Sequence, residues 1–191
     1  KTKILVGCAP CQPFSSYTLK KSIDDNWKLL YQFAELITAV SPDIVSMENV
    51  TRLRLFADGK IFKDFVQTLE SSGYYVSSFD VYCPDYGIPQ KRTRLVLFAS
   101  KFSKIELIPK THSPENYRTV RDAIYKLQPL KHGEISKRDS LHRASRLSEL
   151  NLSRIKSSVP GCTWRDWDKE LVASCHKKKT GKTYAGVYGR M

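Results

Sequence analysis

Ile4-Leu5-Val6-Gly7-Cys8-Ala9-Pro10-Cys11-Gln12-Pro13-Phe14-Ser15-Ser16 runs from three apolar residues straight into a loop that carries two thiols. The apolar run reads as a buried strand, and the loop leaving the carboxyl end of a strand is where an open α/β sheet keeps its chemistry. A thiolate is a strong nucleophile. Pro10 and Pro13 stiffen the backbone on either side of Cys11, and Gly7 lets another group approach closely. Cys11 is on these grounds a candidate nucleophile. Two other readings stand beside it: a small buried hydrophobe and, together with Cys8, a C-x-x-C redox pair or half of a zinc site.

Outward from this loop, which reads as polar and turn-rich through Asn26, Leu29, Leu30, Phe33, Leu36, Ile37 and Val40 recur at helical spacing until Pro42 ends the helix. Residues 43–47 read as the next strand, 62–69 as a second helix closed by Ser71-Ser72-Gly73, 75–82 as an alternating third strand and 94–100 as a fourth. Strands alternating with helices predict an α/β fold with a doubly wound, mostly parallel sheet. Past Ser103 that rhythm breaks into short pieces, a helix near 120–127, another around 148–157 and a polar run over 175–182, which predicts a small irregular lobe.

Charge divides the chain the same way. The formal net charge is +13 over 191 residues. Through Ser103 there are 13 basic against 10 acidic residues, net +3, and beyond it 19 against 9, net +10. The second part is thus suited to a polyanion, where the alternative is a merely solvated basic surface. No run approaches the roughly twenty apolar residues of a membrane helix, and no secretory leader opens the sequence. Five cysteines, an odd number, suggest reduced thiols and a cytoplasmic location. Cys175-His176 has no second pair at ligand spacing and reads as structural, so no metal is expected.

Two further segments carry chemistry. Glu48-Asn49-Val50 follows the strand at 43–47, and Tyr86-Gly87-Ile88-Pro89-Gln90-Lys91-Arg92-Thr93-Arg94 leads into the strand at 94–100. Taken singly, Glu48 reads as a cap or surface charge and the arginines as a solvated strand end. Together, Pro10-Cys11-Gln12, Glu48-Asn49-Val50 and Gln90-x-Arg92-x-Arg94, in this order and spacing, resemble the three central motifs of the cytosine-5 DNA methyltransferases. The resemblance extends along nearly the whole chain: Pro160-Gly161-Cys162-Thr163-Trp164-Arg165-Asp166-Trp167 is similar to the family's Gly-Gly-x-Trp-Arg-Asp segment, and Tyr188-Gly189-Arg190-Met191 to the start of its closing motif. It departs from the pattern where Gly-Gly-Pro-Pro-Cys reads Gly7-Cys8-Ala9-Pro10-Cys11, and Cys8 takes no role from it. The family's Phe-x-Gly-x-Gly turn, which holds S-adenosylmethionine, is not in this sequence. The chain therefore reads as an internal piece, with a preceding segment or a complementary subunit as partner.

The resemblance implies an incomplete sheet of the S-adenosylmethionine-dependent methyltransferase type. Residues 1–103 correspond to the C-terminal part of the catalytic domain, 104–187 to the target recognition region and 188–191 to the start of the return. It implies methyl transfer from S-adenosylmethionine to C5 of a cytosine flipped out of double-stranded DNA, in a bacterial restriction-modification system with a cognate restriction endonuclease, at the nucleoid. Cys11 would add to C6. Glu48 would supply a proton at N3, a task that burial against the base favours, with Asn49 holding the acid's loop. Arg94 would contact O2 with Arg92 in support, and fixed positive charge favours the Cys11 thiolate. Pro10 and Leu29 are the cofactor-binding positions carried over, and Gln12, Ser15 and Gln90 the DNA-contacting ones. The piece alone is expected to be inactive. Two other classes stay open: a DNA-binding module without catalysis, and a thiol-disulfide protein using Cys8 and Cys11.

Overall fold

A computed structural model describes residues 1–10 and 25–177. It divides into two compact units, Lys1–Thr119 and Val120–Met191.

The first unit is built on strands β1 (Ile4–Gly7), β2 (Ile44–Asn49), β3 (Tyr75–Tyr82) and β4 (Thr93–Ser100), with helices α1 (Leu29–Val40) between β1 and β2 and α2 (Lys60–Ser71) between β2 and β3. The sheet order is β1-β2-β4-β3. β1 pairs parallel to β2, with Ile4 opposite Ile44 and Gly7 opposite Met47, while β4 pairs antiparallel to both β2 and β3. Three strands thus point one way, but the reversed β4 stands between two of them, so the sheet is mixed rather than mostly parallel in its pairings. The reason is the short link of residues 83–92, which joins β3 to β4 without a crossover helix and so forces a hairpin; Cys83 N–H donates to Arg92 O at 2.8 Å to close it.

Period-two alternation decides the two faces of the sheet. Val45, Met47, Leu95, Leu97 and Ala99 are fully buried against Leu30, Ala34 and Ile37 of α1 and Ile61, Phe62, Phe65 and Leu69 of α2. The two helices pack on each other, with Phe33 stacked on Phe65 at 6.0 Å between centroids. Over the described residues, α1 and α2 both cover this one face of the sheet. On the other face of β1, Ile4 and Val6 are exposed. α1 stops where Ser41 adopts a left-handed conformation, its N–H bonded to Ile37 O at 2.8 Å. Buried Pro42 follows, and its carbonyl accepts from Tyr74 OH at 2.6 Å.

Residues 104–119 stay with this unit. Ser77 Oγ donates to Ile105 O at 2.6 Å. Asp85, 5% exposed, receives Lys110 Nζ at 2.7 Å on one oxygen and Tyr117 OH at 2.6 Å on the other. Its carbonyl takes the N–H groups of Thr111 and His112. The compact division accordingly falls after Thr119, beyond the change of rhythm at Ser103.

The second unit carries short helices α3 (Val120–Ile124), α4 (Glu149–Lys156) and α5 (Ser174–Lys177). Ser148 caps α4 through Asn151 N–H, and a capping box joins Thr163 to Asp166. Trp167 is buried with Nε1 donating to Ser158 Oγ at 3.1 Å, and Trp164 stacks on His176 at 4.7 Å between centroids. No helix among the described residues is long and apolar enough to cross a membrane.

Candidate active site

β2 delivers two consecutive side chains to opposite faces at its carboxyl end. Asn49 points to the helix side and is 1% exposed. Its Nδ2 donates to Ala9 O at 3.0 Å and its Oδ1 accepts from Val50 N–H at 2.8 Å. The β1–β2 pairing ends at Gly7 opposite Met47, so Asn49 spans the opening between the strands and fixes where the chain leaves β1. Gly7 is a glycine for a packing reason as well: a β-carbon there would collide with the edge of the Phe33 ring.

Glu48 faces the other way, its side chain 45% exposed. Arg94, the second residue of β4, reaches it from the neighbouring strand, Nε to Oε1 at 2.9 Å, and steadies its own guanidinium on Thr93 O at 2.8 Å. The second carboxylate oxygen, Oε2, accepts from Cys8 Sγ at 3.2 Å. The ends of β1, β2 and β4 thus join a carboxylate, a guanidinium and a thiol. An ion pair with further donors on the guanidinium can hold and polarise a planar heterocycle.

Of the residues expected from the sequence, the structure brings Glu48 and Arg94 into direct contact and places Asn49 behind them. It does not bring the Arg92 side chain to this group. That side chain is exposed, as is Gln90, and Arg92 acts here through its carbonyl at the β3–β4 turn. Pro10 and Leu29 are both half-buried, Leu29 as the first residue of α1. Two apolar surfaces can wall a sulfonium cofactor, but neither offers a group that would grip its amino acid or ribose. Cys11, Gln12 and Ser15 lie outside the described residues. No group of three or more His, Cys, Asp and Glu among the described residues is arranged to hold a metal ion.

Sequence reasoning missed two features. Cys8, given no role, is the partner of Glu48; a thiol one residue beyond a strand end was the available signal. Asp85 was not singled out, though Pro84-Asp85-Tyr86-Gly87 is a turn signature. The lysine and tyrosine bonded to Asp85 hold its carboxyl below the ordinary value. In return, the bond to Asp85 pushes the Tyr117 phenol up to about 12. Gly87, at φ +76°, leaves room that His112 fills, its Cε1 2.6 Å from where a β-carbon would stand. This knot sits at the turn from which Gln90, Arg92 and Arg94 depart.

Comparison with known proteins places the chain in a family. A profile of the C-5 cytosine-specific DNA methylase family matches residues 1–190. The type II methylase M.HgiDII of Herpetosiphon aurantiacus is 57% identical over 189 residues, 99% of this chain and 53% of that protein. The type II methyltransferase M.PspPI of Psychrobacter sp. (strain TA137) is 30% identical over 171 residues, 87% of this chain and 40% of that protein. A solved prophage-encoded DNA modification methyltransferase from E. coli superposes with a TM-score of 0.55 at 25% identity, over 70% of this chain and 37% of that one. This chain therefore spans about half the length, or less, of these relatives. With its three site-bearing strand ends and a match from Lys1 to Arg190, the chain belongs to the C-5 cytosine-specific DNA methylase family.

Proposed function

We propose that this chain is the part of a DNA (cytosine-5-)-methyltransferase that attacks and holds the target base. Residues 1–103 serve as the C-terminal part of the catalytic domain, 104–187 as the target recognition region, and 188–191 as the start of the return. The observation that carries the reading is the Glu48–Arg94 pair at 2.9 Å, set beside the exit of β1 by Asn49.

Cytosine C5 is a poor nucleophile until a thiolate has added to C6. In the sequence, Cys11 follows Ala9, the residue to which Asn49 is bonded, by two positions. The Cys11 sulfur forms the bond to C6, the electron pair of the C5–C6 double bond shifts into the ring, and Glu48 delivers a proton at N3. Two of Arg94's five donors are engaged, which leaves others for cytosine O2. When bound, S-adenosylmethionine would supply a sulfonium methyl group for C5, with Pro10 and Leu29 forming one wall of its site. Loss of the C5 proton to solvent water and expulsion of the Cys11 thiolate, with the N3 proton returned to Glu48, then restore the aromatic ring. The base reaches this site only when rotated out of the duplex; Gln12, Ser15 and Gln90 are assigned to the DNA around it.

The test uses the full-length enzyme and duplex DNA carrying 5-fluorocytosine, whose C5 fluorine arrests the reaction at the covalent adduct. The parent and Cys8→Ser are expected to be trapped and Cys11→Ser is not, while Glu48→Gln retains DNA binding but methylates at least about a hundredfold more slowly. Trapping that survives Cys11→Ser and is lost in Cys8→Ser would overturn the assignment.

A further inference from the structure

Residues 131–146 of the second unit, Lys131-His132-Gly133-Glu134-Ile135-Ser136-Lys137-Arg138-Asp139-Ser140-Leu141-His142-Arg143-Ala144-Ser145-Arg146, form a two-stranded ribbon. Its rungs are Gly133 N–H to Ser145 O at 3.2 Å, Ala144 N–H to Glu134 O at 2.9 Å and Ser136 N–H to His142 O at 2.9 Å, with Ile135 bridged antiparallel to Arg143. The tip is held from inside: His142 N–H bonds Asp139 O, Leu141 N–H bonds Asp139 Oδ1 at 2.9 Å and Arg138 N–H bonds Ser136 Oγ at 3.2 Å. Ser136, 9% exposed, anchors it. The ribbon is a shaped, internally bonded element.

Its side chains do the opposite of what stability alone would favour. Leu141, at the tip, is 88% exposed. Lys137, Arg138 and Arg143 around it are exposed too, and none of them forms an ion pair among the described residues. The two acids of the segment are turned to the backbone, Asp139 onto Leu141 N–H and Glu134 onto Lys131 N–H at 2.7 Å. Five basic against two acidic residues leave net +3. A projecting ribbon with a cationic flank and a single apolar residue at its apex matches a polyanion whose interior edges are partly apolar. The three residue steps from Gly133 to Ser136 give a height of ~10 Å, and the major groove of B-DNA, about 12 Å wide and about 8.5 Å deep, admits a two-stranded ribbon.

We propose that this ribbon enters the major groove of the substrate duplex, with Leu141 in apolar contact with base edges, thymine methyl groups above all, and Lys137 and Arg138 on the flanking phosphates. The proposal rests on the DNA methyltransferase reading and deepens it by naming which residues meet the DNA and in which role.

Two variants of the full-length enzyme test it. Leu141→Ala removes base contact and leaves the phosphates, so bisulfite sequencing of methylated plasmid should show new sites differing from the parent's at one position, with discrimination down about tenfold, within the range for losing one base pair's readout. Lys137→Ala/Arg138→Ala should keep the site but weaken binding to every duplex, and the slope of log affinity against log salt, read by fluorescence anisotropy, should flatten by about 2. An unchanged salt slope overturns the groove placement, and unchanged site choice in Leu141→Ala overturns the base contact. Should the parent bind DNA but neither methylate it nor be trapped, the catalytic reading fails, while the salt slopes still decide whether the ribbon holds DNA.

Discussion

Asn49→Ala takes away a side chain that is 1% exposed and that closes two hydrogen bonds, to Ala9 O at 3.0 Å and from Val50 N–H at 2.8 Å. Each such bond contributes about 1 kcal/mol net, and a polar group left buried without a partner costs about 1–3 kcal/mol more. Ala9 and Val50 are half-buried, so water reaches part of each freed group, and the loss works out near 2–3 kcal/mol rather than the larger figure of a sealed site. With a urea slope of about 2 kcal/mol/M, the unfolding midpoint of this 191-residue chain should fall by about 1 M at constant slope. Asn49→Asp sharpens the test. It keeps an acceptor for Val50 N–H but sets a carboxylate oxygen against the Ala9 carbonyl, so it should be no more stable than the alanine variant. In the full-length enzyme, both changes should slow trapping by 5-fluorocytosine DNA, because the segment leading to Cys11 is no longer tied beside Glu48. A midpoint within about 0.2 M of the parent would refute the reasoning, since that change corresponds to less than one net hydrogen bond.

Gly7→Ala should destabilise the chain by about 1–3 kcal/mol through overpacking against Phe33, and Phe33→Leu in the same molecule should recover part of that loss; strictly additive effects in urea melts would remove this contact as the reason for the glycine. Because Asp85 is held below its ordinary 3.8, its contribution is whole above that pH and is lost as acid takes the solution through its lower folded value. The melting temperatures of parent and Asp85→Asn should therefore differ at neutral pH and converge in acid; a constant gap would show that the carboxylate charge plays no part. At the alkaline end, Tyr117, raised from 10.0 to about 12, stabilises the fold below pH 10 and ceases to as it ionises. Tyr117→Phe should delete a late-ionising phenol from the absorbance titration, and a titration matching the parent's would contradict the Asp85 bond.

Strand and helix placement in the first unit was legible because each element carries a period. Leu30 and Ile37, read on one face of a helix, are buried by α1 together with Ala34, whereas Leu36 and Val40 from the same reading are exposed; the strand read at 43–47 places Val45 and Met47 in the core. What could not be read was strand order, because the direction of β4 depends on the length of the link at 83–92 rather than on any residue within the strand. In the site, Glu48 and Arg94 were legible as members of a motif, yet nothing local says that Arg94 meets Glu48 across a strand boundary. Cys8 was missed for the same reason: its partner lies forty residues away. The ribbon at 131–146 escaped because its strands are one bridge long and its order comes from turn bonds, which leave no periodic trace.

The position of β4 between β2 and β3 has a consequence for how the chain is made. During synthesis β3 is complete before β4 exists, and among the described residues β4 is the strand that attaches β3 to the sheet. β2 likewise keeps one edge open until β4 arrives. Residues 75–100 are therefore best regarded as a single assembly step, a hairpin that closes on itself through a ten-residue link and then docks as a pair. A chain interrupted within the link at 83–92 would forfeit more than its last strand. It would leave β3 without its partner and Glu48 without the guanidinium that β4 provides.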